Sequence, residues 1–243
     1  MGRPRVLFLT SGFAVDSLPG GVGQFAIELS RALDRTRLEP ILCGLWRHGT
    51  PLEAEWVARL QQEELTAFLA ADWNETQPYL SYLQAWRGMA HQLTGQRVDL
   101  VHSHCQFADG LALPLAHRLQ TRVVLRTVHN EREWPRRPLR RLLLTNILLP
   151  LRLPLEIGIS QQVANNLDRR PIARLLGRKS IYIPNALDLD RFGISRGPEI
   201  RELKRRELGL PLDAPLAITV GRLAPQKGYP VLLEAVASVL ALS

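Results

Sequence analysis

A short loop near the end of the chain carries residues that could bind an anion. Strand-forming residues 217–220 lead into this loop, and four of its residues stand out: Gly221, Arg222, Lys227 and Gly228. Open α/β sheets bind ligands beyond the carboxyl ends of their strands, where glycine allows close approach of the backbone and Arg and Lys attract phosphate. The loop therefore predicts a phosphate-binding site. A surface turn with two solvated cations is the alternative.

A glycine-containing loop follows the first apolar run of the chain, residues 6–9. Its sequence over residues 19–23 is Pro-Gly-Gly-Val-Gly, and a helical pattern begins near Gln24. Strand, glycine-rich loop and helix in this order form the first unit of a doubly wound fold. Ala26 occupies the position of the third glycine in the dinucleotide-binding motif, so a simple tight turn stays open as the alternative.

Histidines stand at the carboxyl ends of two further predicted strands. One strand ends in His102 and His104 with a serine between them, and another, over residues 122–128, is followed by His129. Residues two apart share a face of a strand, so His102 and His104 could form a metal pair, but no third ligand with suitable spacing follows and no metal is predicted. His129 lies where a doubly wound fold binds its ligand, with a structural role as the alternative.

The composition is that of a globular chain with an excess of positive charge. The 243 residues are 46% hydrophobic and carry a net charge of +8, which favours acidic partners. Within residues 122–179 there are 13 Lys and Arg against four Asp and Glu. Arginines at positions 136, 137, 140 and 141 precede three leucines, and such a basic amphipathic segment can lie on an anionic membrane. An ordinary solvated helix face is the alternative, and no nucleic-acid motif or partner is predicted.

The cysteines and the apolar runs indicate the cellular compartment of the protein. Cys43 and Cys105 are the two cysteines of the sequence, and they form neither a disulfide framework nor a zinc-binding spacing. No signal peptide is convincing, and no span of about 20 apolar residues is present. We therefore expect a cytoplasmic protein, with peripheral contact to an anionic membrane as a further hypothesis.

Strand-like and helical patterns alternate along the chain, which predicts the α/β class with a doubly wound, mostly parallel sheet. Residues 52–70 are predicted as one helix and residues 216–220 as a strand. The predicted organisation is a first domain over residues 1–185, a turn-rich linker over 186–198, and the start of a second domain over 199–243. A single strand needs partners, so the second domain is expected to be incomplete.

Six motifs in order along the sequence resemble retaining GT-B glycosyltransferases of the family 4 type. The loop Gly-Arg-Leu-x-x-x-Lys-Gly at residues 221–228 is similar to the nucleotide-sugar loop of that family. The other five motifs lie upstream, at residues 19–23, 99–104, 127–130, 158–160 and 183–192. The six motifs are distributed in this order over nearly the whole chain.

The resemblance implies two Rossmann-like domains facing across a cleft, with the acceptor on the N-terminal domain and the nucleotide-sugar donor on the C-terminal one. It implies that Arg222 and Lys227 bind the donor diphosphate and stabilise the leaving group. It further implies that Gly20 and Gly21 bring backbone N–H groups up to the phosphate or sugar, and that His129 contacts the transferred sugar. The transfer would retain the anomeric configuration and need neither a divalent metal nor another cofactor, because cations and helix N-termini supply the positive charge.

Two departures from the family pattern limit this interpretation. Ala186 replaces the usual glycine after Asn185, and the Glu-rich motif of the family's donor domain has no counterpart in the 243 residues. The chain is therefore interpreted as a hexosyltransferase that is a fragment, or one half of a split enzyme completed by a second polypeptide. A non-catalytic binding or membrane-associated module and a nucleotide-sugar epimerase of GT-B architecture remain alternatives. The sugar, the nucleotide and the acceptor stay open.

Overall fold

The chain forms two compact units, Met1–Asp188 and Leu189–Ser243. The computed structural model describes residues 2–13, 20–135, 137–186, 189, 198–221, 223 and 225–241. Arg222 and most of the predicted linker over residues 186–198 lie outside the described residues. The domain boundaries at residues 185 and 199 therefore stay a prediction.

The first unit contains a seven-stranded sheet in which every neighbouring pair is parallel. The spatial order is β3-β2-β1-β4-β5-β6-β7, so the direction of strand addition reverses between β1 and β4. A doubly wound sheet binds its ligand at such a switch point. The strands are β1 (Arg5–Thr10), β2 (Glu39–Arg47), β3 (Thr66–Asp72), β4 (Leu100–Ser103), β5 (Val123–Val128), β6 (Ile157–Gly158) and β7 (Ile181–Tyr182).

Helices connect these strands. Three of them begin at side-chain caps, because Thr50 accepts a hydrogen bond from the backbone N–H of Glu53, Cys105 accepts one from Ala108 and Ser160 accepts one from Val163. The cap at Ser160 is the one that the sequence predicts. The helices are α1 (Gly20–Ala32), α2 (Pro51–Gln62), α3 (Pro78–Gln92), α4 (Gln106–Leu119), α5 (the consecutive segments Pro138–Arg140, Arg141–Leu148 and Leu149–Arg152, the middle one π-helical), α6 (Gln161–Asp168) and α7 (Pro171–Leu175).

The core lies on both faces of the sheet, as strand alternation requires. On β1, Leu7 and Leu9 face a cluster that includes Met89 of α3 and Leu115 of α4. The intervening Phe8 faces the opposite cluster, which includes residues of α1 and α2. Because both faces are covered, β1 and β2 are almost entirely buried, with apolar side chains on both faces.

The prediction of one helix over residues 52–70 is wrong. Helix α2 ends at Gln62, and Glu64 adopts a left-handed backbone with φ of 57°, which a continuing helix cannot accommodate. The chain then re-enters the sheet as β3, which pairs with β2 and forms one edge of the sheet. The apolar positions fit a helical period up to Leu60, whereas the residues after Leu65 belong to a partly buried strand.

Helix α1 also differs from its prediction, because it begins at Gly20 rather than near Gln24. The glycines of the 19–23 motif therefore form the first turn of the helix instead of a preceding loop. Close packing explains why glycine occupies position 23. A Cβ there would lie 2.7 Å from the backbone oxygen of Gly12, so any side chain would push α1 away from the end of β1.

The second unit, as far as it is described, consists of helix α8 (Pro198–Glu207), a 3₁₀ turn (Pro225–Lys227) and helix α9 (Tyr229–Leu240). The predicted strand over residues 216–220 is not formed; this stretch carries no sheet pairing, and Val220 is 93% exposed. A strand needs a neighbour for its backbone hydrogen bonds, and the described residues of this unit supply none. The prediction of this strand is therefore wrong for the chain as it stands.

Candidate functional site

A cleft opens at the carboxyl edge of the sheet, where β1, β4 and β5 end. Each strand contributes a residue to its wall: Ser11 follows β1, His104 follows β4 and His129 follows β5. Val22, in the first turn of α1, lines the same cleft. The fold thus brings the glycine motif and the predicted sugar-contacting histidine together at the switch point.

His129 has an unoccupied hydrogen-bonding atom in this cleft. Its Nε2 has no hydrogen-bond partner among the described residues, and its ring packs edge-on against Phe25 of α1 at a centroid distance of 5.3 Å. Burial lowers the pKa of His129 to about 4, because the surroundings penalise the charged ring. At neutral pH the imidazole is therefore neutral.

His102 and His104 lie behind His129 and are also neutral. Their rings are 4.1 Å apart, and the Nε2 of His102 shares a 2.8 Å hydrogen bond with the hydroxyl of Thr127. Burial lowers the pKa of His102 to about 4 and that of His104 well below its ordinary value, and the neighbouring histidines add to both shifts. Both nitrogens of His104 lack a partner in the described part of the chain.

The predicted pairing of His102 and His104 on one strand face is present, but it does not form a metal centre. No group of three His, Cys, Asp or Glu side chains within the described ranges is arranged to hold a metal ion. The contact of His102 with Thr127 instead makes it a packing residue that joins β4 to β5. The prediction that the activity needs no metal stays a prediction.

A buried ion-pair network closes the floor of the cleft. Arg126 of β5 is fully buried, and its guanidinium donates to Asp109 at 2.9 Å, to Glu133 at 2.8 and 3.0 Å, and to Glu156 at 2.5 Å. Arg170 also donates to Glu156. Asp109 and Glu133 line the cleft, so the network fixes α4 and the loop after β5 around the site.

The network holds three carboxyl groups against two guanidinium groups, and the pKa values of Asp109 and Glu156 are shifted in opposite directions. Burial raises the pKa of Asp109 to about 6; the nearby Glu133 carboxylate adds to the rise, and Arg126 opposes it. Burial also disfavours the ionised form of Glu156, but Arg126 and Arg170 outweigh this effect and hold the pKa of Glu156 below its usual value. The hydroxyl of Ser103 donates to Asp109 at 2.5 Å.

The loop at residues 221–228 belongs to the second unit. Lys227 ends the 3₁₀ turn, and Gly228 follows with φ of +66°, a left-handed conformation that suits glycine. The Tyr229 hydroxyl donates to the backbone oxygen of Gly221 at 2.9 Å, which closes the loop at the start of α9. Lys227 is thus placed at a helix N-terminus, whereas the position of Arg222 is not described.

Sequence reasoning did not find the buried network or the role of Glu133 in it. An arginine within the strand sequence Val-Val-Leu-Arg-Thr-Val was the available indication, because a buried arginine requires acidic partners. Its partners are 7 to 30 residues away along the chain, and nothing in the local pattern identifies them.

A parallel sheet whose strand order reverses at a cleft defines an α/β protein with a doubly wound fold. The family model for Glycosyltransferase Family 4 matches residues 19–191, which is most of the chain. The chain therefore belongs to Glycosyltransferase Family 4, and the predicted membership is confirmed.

Solved structures have the same fold. HepE of Anabaena, in complex with UDP and glucose, superposes with a TM-score of 0.71 at 17% identity, over 97% of this chain and 58% of that one. A glycosyltransferase from Rickettsia africae gives a TM-score of 0.71 at 22% identity, over 98% and 58%. The predicted GT-B-like α/β fold is confirmed.

One curated relative shares a short segment with this chain. The D-inositol 3-phosphate glycosyltransferase of Geodermatophilus obscurus is 42% identical over 64 residues, which is 26% of this chain and 13% of the relative. The chain thus spans less than two thirds of the length of the relatives that it matches.

Proposed function

We propose that this chain supplies the acceptor domain and the diphosphate-binding loop of a hexosyltransferase that moves a sugar from a nucleotide-sugar donor with retention of configuration. The observation that carries the proposal is the switch-point cleft, where the first turn of α1 and the neutral His129 line one wall within a Family 4 chain. The complexes of HepE with UDP, glucose and UDP-glucose support a nucleotide sugar as the donor class. A second polypeptide that completes the donor domain remains a hypothesis.

The N-terminus of α1 can bind the phosphate of the leaving group or the transferred sugar. The first N–H groups of a helix have no partner within it, and the helix dipole adds positive potential there. Because Gly20 and Gly21 carry no side chains, these N–H groups can approach a phosphate or sugar closely, and a Cβ built at Gly21 would meet nothing within 4 Å. In this proposal, neutral His129 supplies a further hydrogen bond next to the N–H groups of α1 without adding charge to the site.

Positive charge on the donor side comes from Lys227 and Arg222 in this proposal. As the bond to the sugar breaks, negative charge builds on the diphosphate, and a cation placed at a helix N-terminus stabilises it more in the transition state than in the ground state. Cations and helix ends can do this work, so we propose that the reaction needs no divalent metal or other cofactor. The free thiols of Cys43 and Cys105 fit our proposal of a cytoplasmic location.

Calorimetric titration with UDP and GDP tests the donor site. We expect one of the nucleotides to bind the 243-residue chain, and Lys227→Ala to weaken binding by about tenfold, because a charge-assisted contact to phosphate is lost. Lys204→Ala is the matched control, since Lys204 is an exposed lysine of the same unit that pairs with Glu207. Equal affinities of the wild type and Lys227→Ala would contradict the assignment.

We also propose that α5 contacts an anionic membrane surface. Six apolar side chains of α5 are at least 37% exposed, and no acidic residue occurs between Glu133 and Glu156, whereas five arginines do. Exposed leucines can enter the interface while arginines meet lipid headgroups. Within the described ranges, none of the helices has the length and apolar character that a membrane span requires. The six exposed apolar side chains of α5 are Leu139, Leu142, Leu143, Ile147, Leu148 and Leu151.

Vesicle sedimentation tests this contact. We expect the chain to sediment with vesicles of phosphatidylcholine and phosphatidylglycerol, less with phosphatidylcholine alone, and less again as salt is raised. The double variant Leu142→Glu/Leu143→Glu should lose the binding. Leu175→Glu, which changes a 78% exposed leucine of α7, should keep it. Binding that does not depend on lipid charge, or that the double variant retains, would refute the contact.

A further inference from the structure

A second cleft lies beside the first at the carboxyl edge of the sheet. Trp46 and Phe107 line both clefts, so the two form one groove. The second cleft is smaller than the first and lies between the first turns of α3, the end of β3 and the start of α5. We name it the aromatic–arginine cleft after its other side chains, Trp73, Tyr79, Tyr82, Arg137 and Arg140.

The aromatic rings form a fixed wall. Trp46 is 2% exposed, and its ring centroid lies 4.8 Å from that of Trp73 and 5.2 Å from that of Phe107, both in edge-on contact. The Tyr82 hydroxyl donates to the backbone oxygen of Phe107 at 2.8 Å. Tyr79, at the mouth, is 67% exposed. Such a wall offers flat apolar faces to a ligand at little cost in side-chain entropy.

The two arginines are held by aromatic rings rather than by carboxylates. The guanidinium carbon of Arg140 lies 5.4 Å from the ring centroid of Tyr79 and 5.2 Å from that of Trp134. That of Arg137 lies 5.9 Å from the Tyr79 ring, and its Nη1 donates to the Tyr79 hydroxyl at 3.3 Å. In the described part of the chain neither guanidinium has an acidic partner. Stacking leaves most of their N–H groups free for an anion.

Three other arginines of this unit, buried or half-buried, are neutralised by carboxylates. Arg126 contacts three carboxylates, and Arg170 contacts Glu156. The half-buried Arg31 pairs with Glu28 and Glu63. By contrast, no carboxylate of the described residues neutralises the positive charge of the aromatic–arginine cleft. An anionic ligand that binds there would neutralise it.

The loop that carries Arg137 is strained at a residue of this site. Trp134 has φ of 47°, in the left-handed region that bulky residues rarely adopt, and it is 4% exposed. Its backbone N–H donates to the side-chain oxygen of Gln106 at 3.0 Å, and its ring contacts Phe107. Strain of this kind persists where surrounding contacts fix it and is frequent at ligand sites. Here it places the ring on which Arg140 packs.

We propose that the aromatic–arginine cleft binds a phosphate group carried by the acceptor, while the acceptor's reacting hydroxyl lies in the adjoining cleft near His129. Guanidinium groups bind phosphate in a bidentate manner, and the wall of rings accepts the apolar faces of the attached sugar or lipid. The assignment of the bound molecule as acceptor rests on the proposed function. The site itself rests on the geometry of Arg137, Arg140 and the rings around them.

Titrations without nucleotide test this site. Tryptophan fluorescence and calorimetry would follow the binding of glucose 6-phosphate, glucose and dioctanoyl phosphatidic acid to the 243-residue chain. We expect at least one phosphate compound to bind and glucose to bind about tenfold more weakly or not at all. Tighter binding of glucose 6-phosphate would indicate a water-soluble acceptor, and tighter binding of phosphatidic acid a lipid-linked one. Both results support the site, because the phosphate is the shared group.

Variants locate the binding. Arg137→Ala and Arg140→Ala should each weaken phosphate binding by about tenfold, and Arg140→Lys should weaken it less, because it keeps the charge but loses the planar fork. Arg118→Ala, at an exposed arginine of α4, should bind as the wild type. Absence of phosphate binding, equal binding of glucose, or unchanged affinity in both alanine variants with native near-UV circular dichroism would overturn the proposal. A failure of donor binding leaves these titrations unaffected, so the two proposals fail separately.

Discussion

Replacing Arg126 by methionine is expected to lower the free energy of unfolding by about 3–5 kcal/mol at pH 8. The substitution removes the group that bonds Asp109, Glu133 and Glu156, and leaves their carboxylates buried without this cation. Methionine has a similar length and fills most of the space, so the loss comes from uncompensated charge rather than from a cavity. Urea denaturation followed by circular dichroism measures it.

The effect of Arg126→Met should depend on pH. Without the guanidinium, the carboxyl groups of Asp109 and Glu156 lose the cation that opposes the effect of burial on their pKa, so lowering the pH toward 5 should protonate them and shrink the difference from the wild type. In the wild type, the pKa of Asp109 is raised to about 6, so its contribution to stability is present at low pH and is lost as the pH rises through 6. Glu156, with a lowered pKa, has the opposite sign and loses its contribution in acid.

Arg122→Met is the matched control for this experiment. Arg122 immediately precedes β5 and is exposed, so its replacement should change stability by less than about 0.5 kcal/mol. A loss below about 1 kcal/mol for Arg126→Met, or a loss that is constant between pH 5 and 8, would show that the network is not what fixes the floor of the cleft.

Replacing His129 by alanine is expected to reduce the rate of sugar release from the donor by about a hundredfold, with a smaller change in donor affinity. His129 lines the cleft, and its buried Nε2 has no hydrogen-bond partner among the described residues, so we expect it to bond the sugar while positive charge develops on the sugar ring. Measuring nucleoside diphosphate released from nucleotide sugars gives the rate. His117→Ala, at an exposed histidine of α4, should leave it unchanged.

The same assay tests the protonation state of His129. Because burial lowers its pKa to about 4, His129 stays neutral from pH 5.5 to 8, and its titration should not appear in the rate profile over that range. The folded pKa lies below the ordinary value of 6.5, so the stability that depends on a neutral His129 is present above 6.5 and is lost as the pH falls through about 4. A rate that falls with an apparent pKa near 6.5 and loses this step in His129→Ala would contradict the burial argument.

The sequence contains the periodicity of the central strands and most helices, but not the end of α2. Residues 52–62 and 66–72 are both apolar enough to continue one helix, and pairing of β3 with β2 decides between the two structures. Such pairing is a tertiary effect that local pattern does not carry. For the same reason, strand-forming residues 216–220 remain unpaired: their propensity is satisfied only by a neighbouring strand.

Some residues of the candidate site could likewise be located from the sequence, and others could not. His129 and the glycine motif could be placed from the sequence, because strand ends of a doubly wound sheet meet at one edge. The partners of Arg126 and the rings around Arg140 could not, since they come from different connections of the fold and have no common spacing. The location of Lys227 at the start of α9 follows the predicted loop, while its binding role stays a prediction.

The central claim is retaining transfer of a sugar from a nucleotide donor, and proton NMR of the released sugar tests it most directly. The chain would be incubated with UDP-glucose or GDP-mannose, both α-linked, and spectra taken before the free sugar equilibrates. We predict that the α anomer forms first, together with the nucleoside diphosphate, and that Lys227→Ala slows both. Initial formation of the β anomer, or sugar release that is unchanged in Lys227→Ala, would contradict the account.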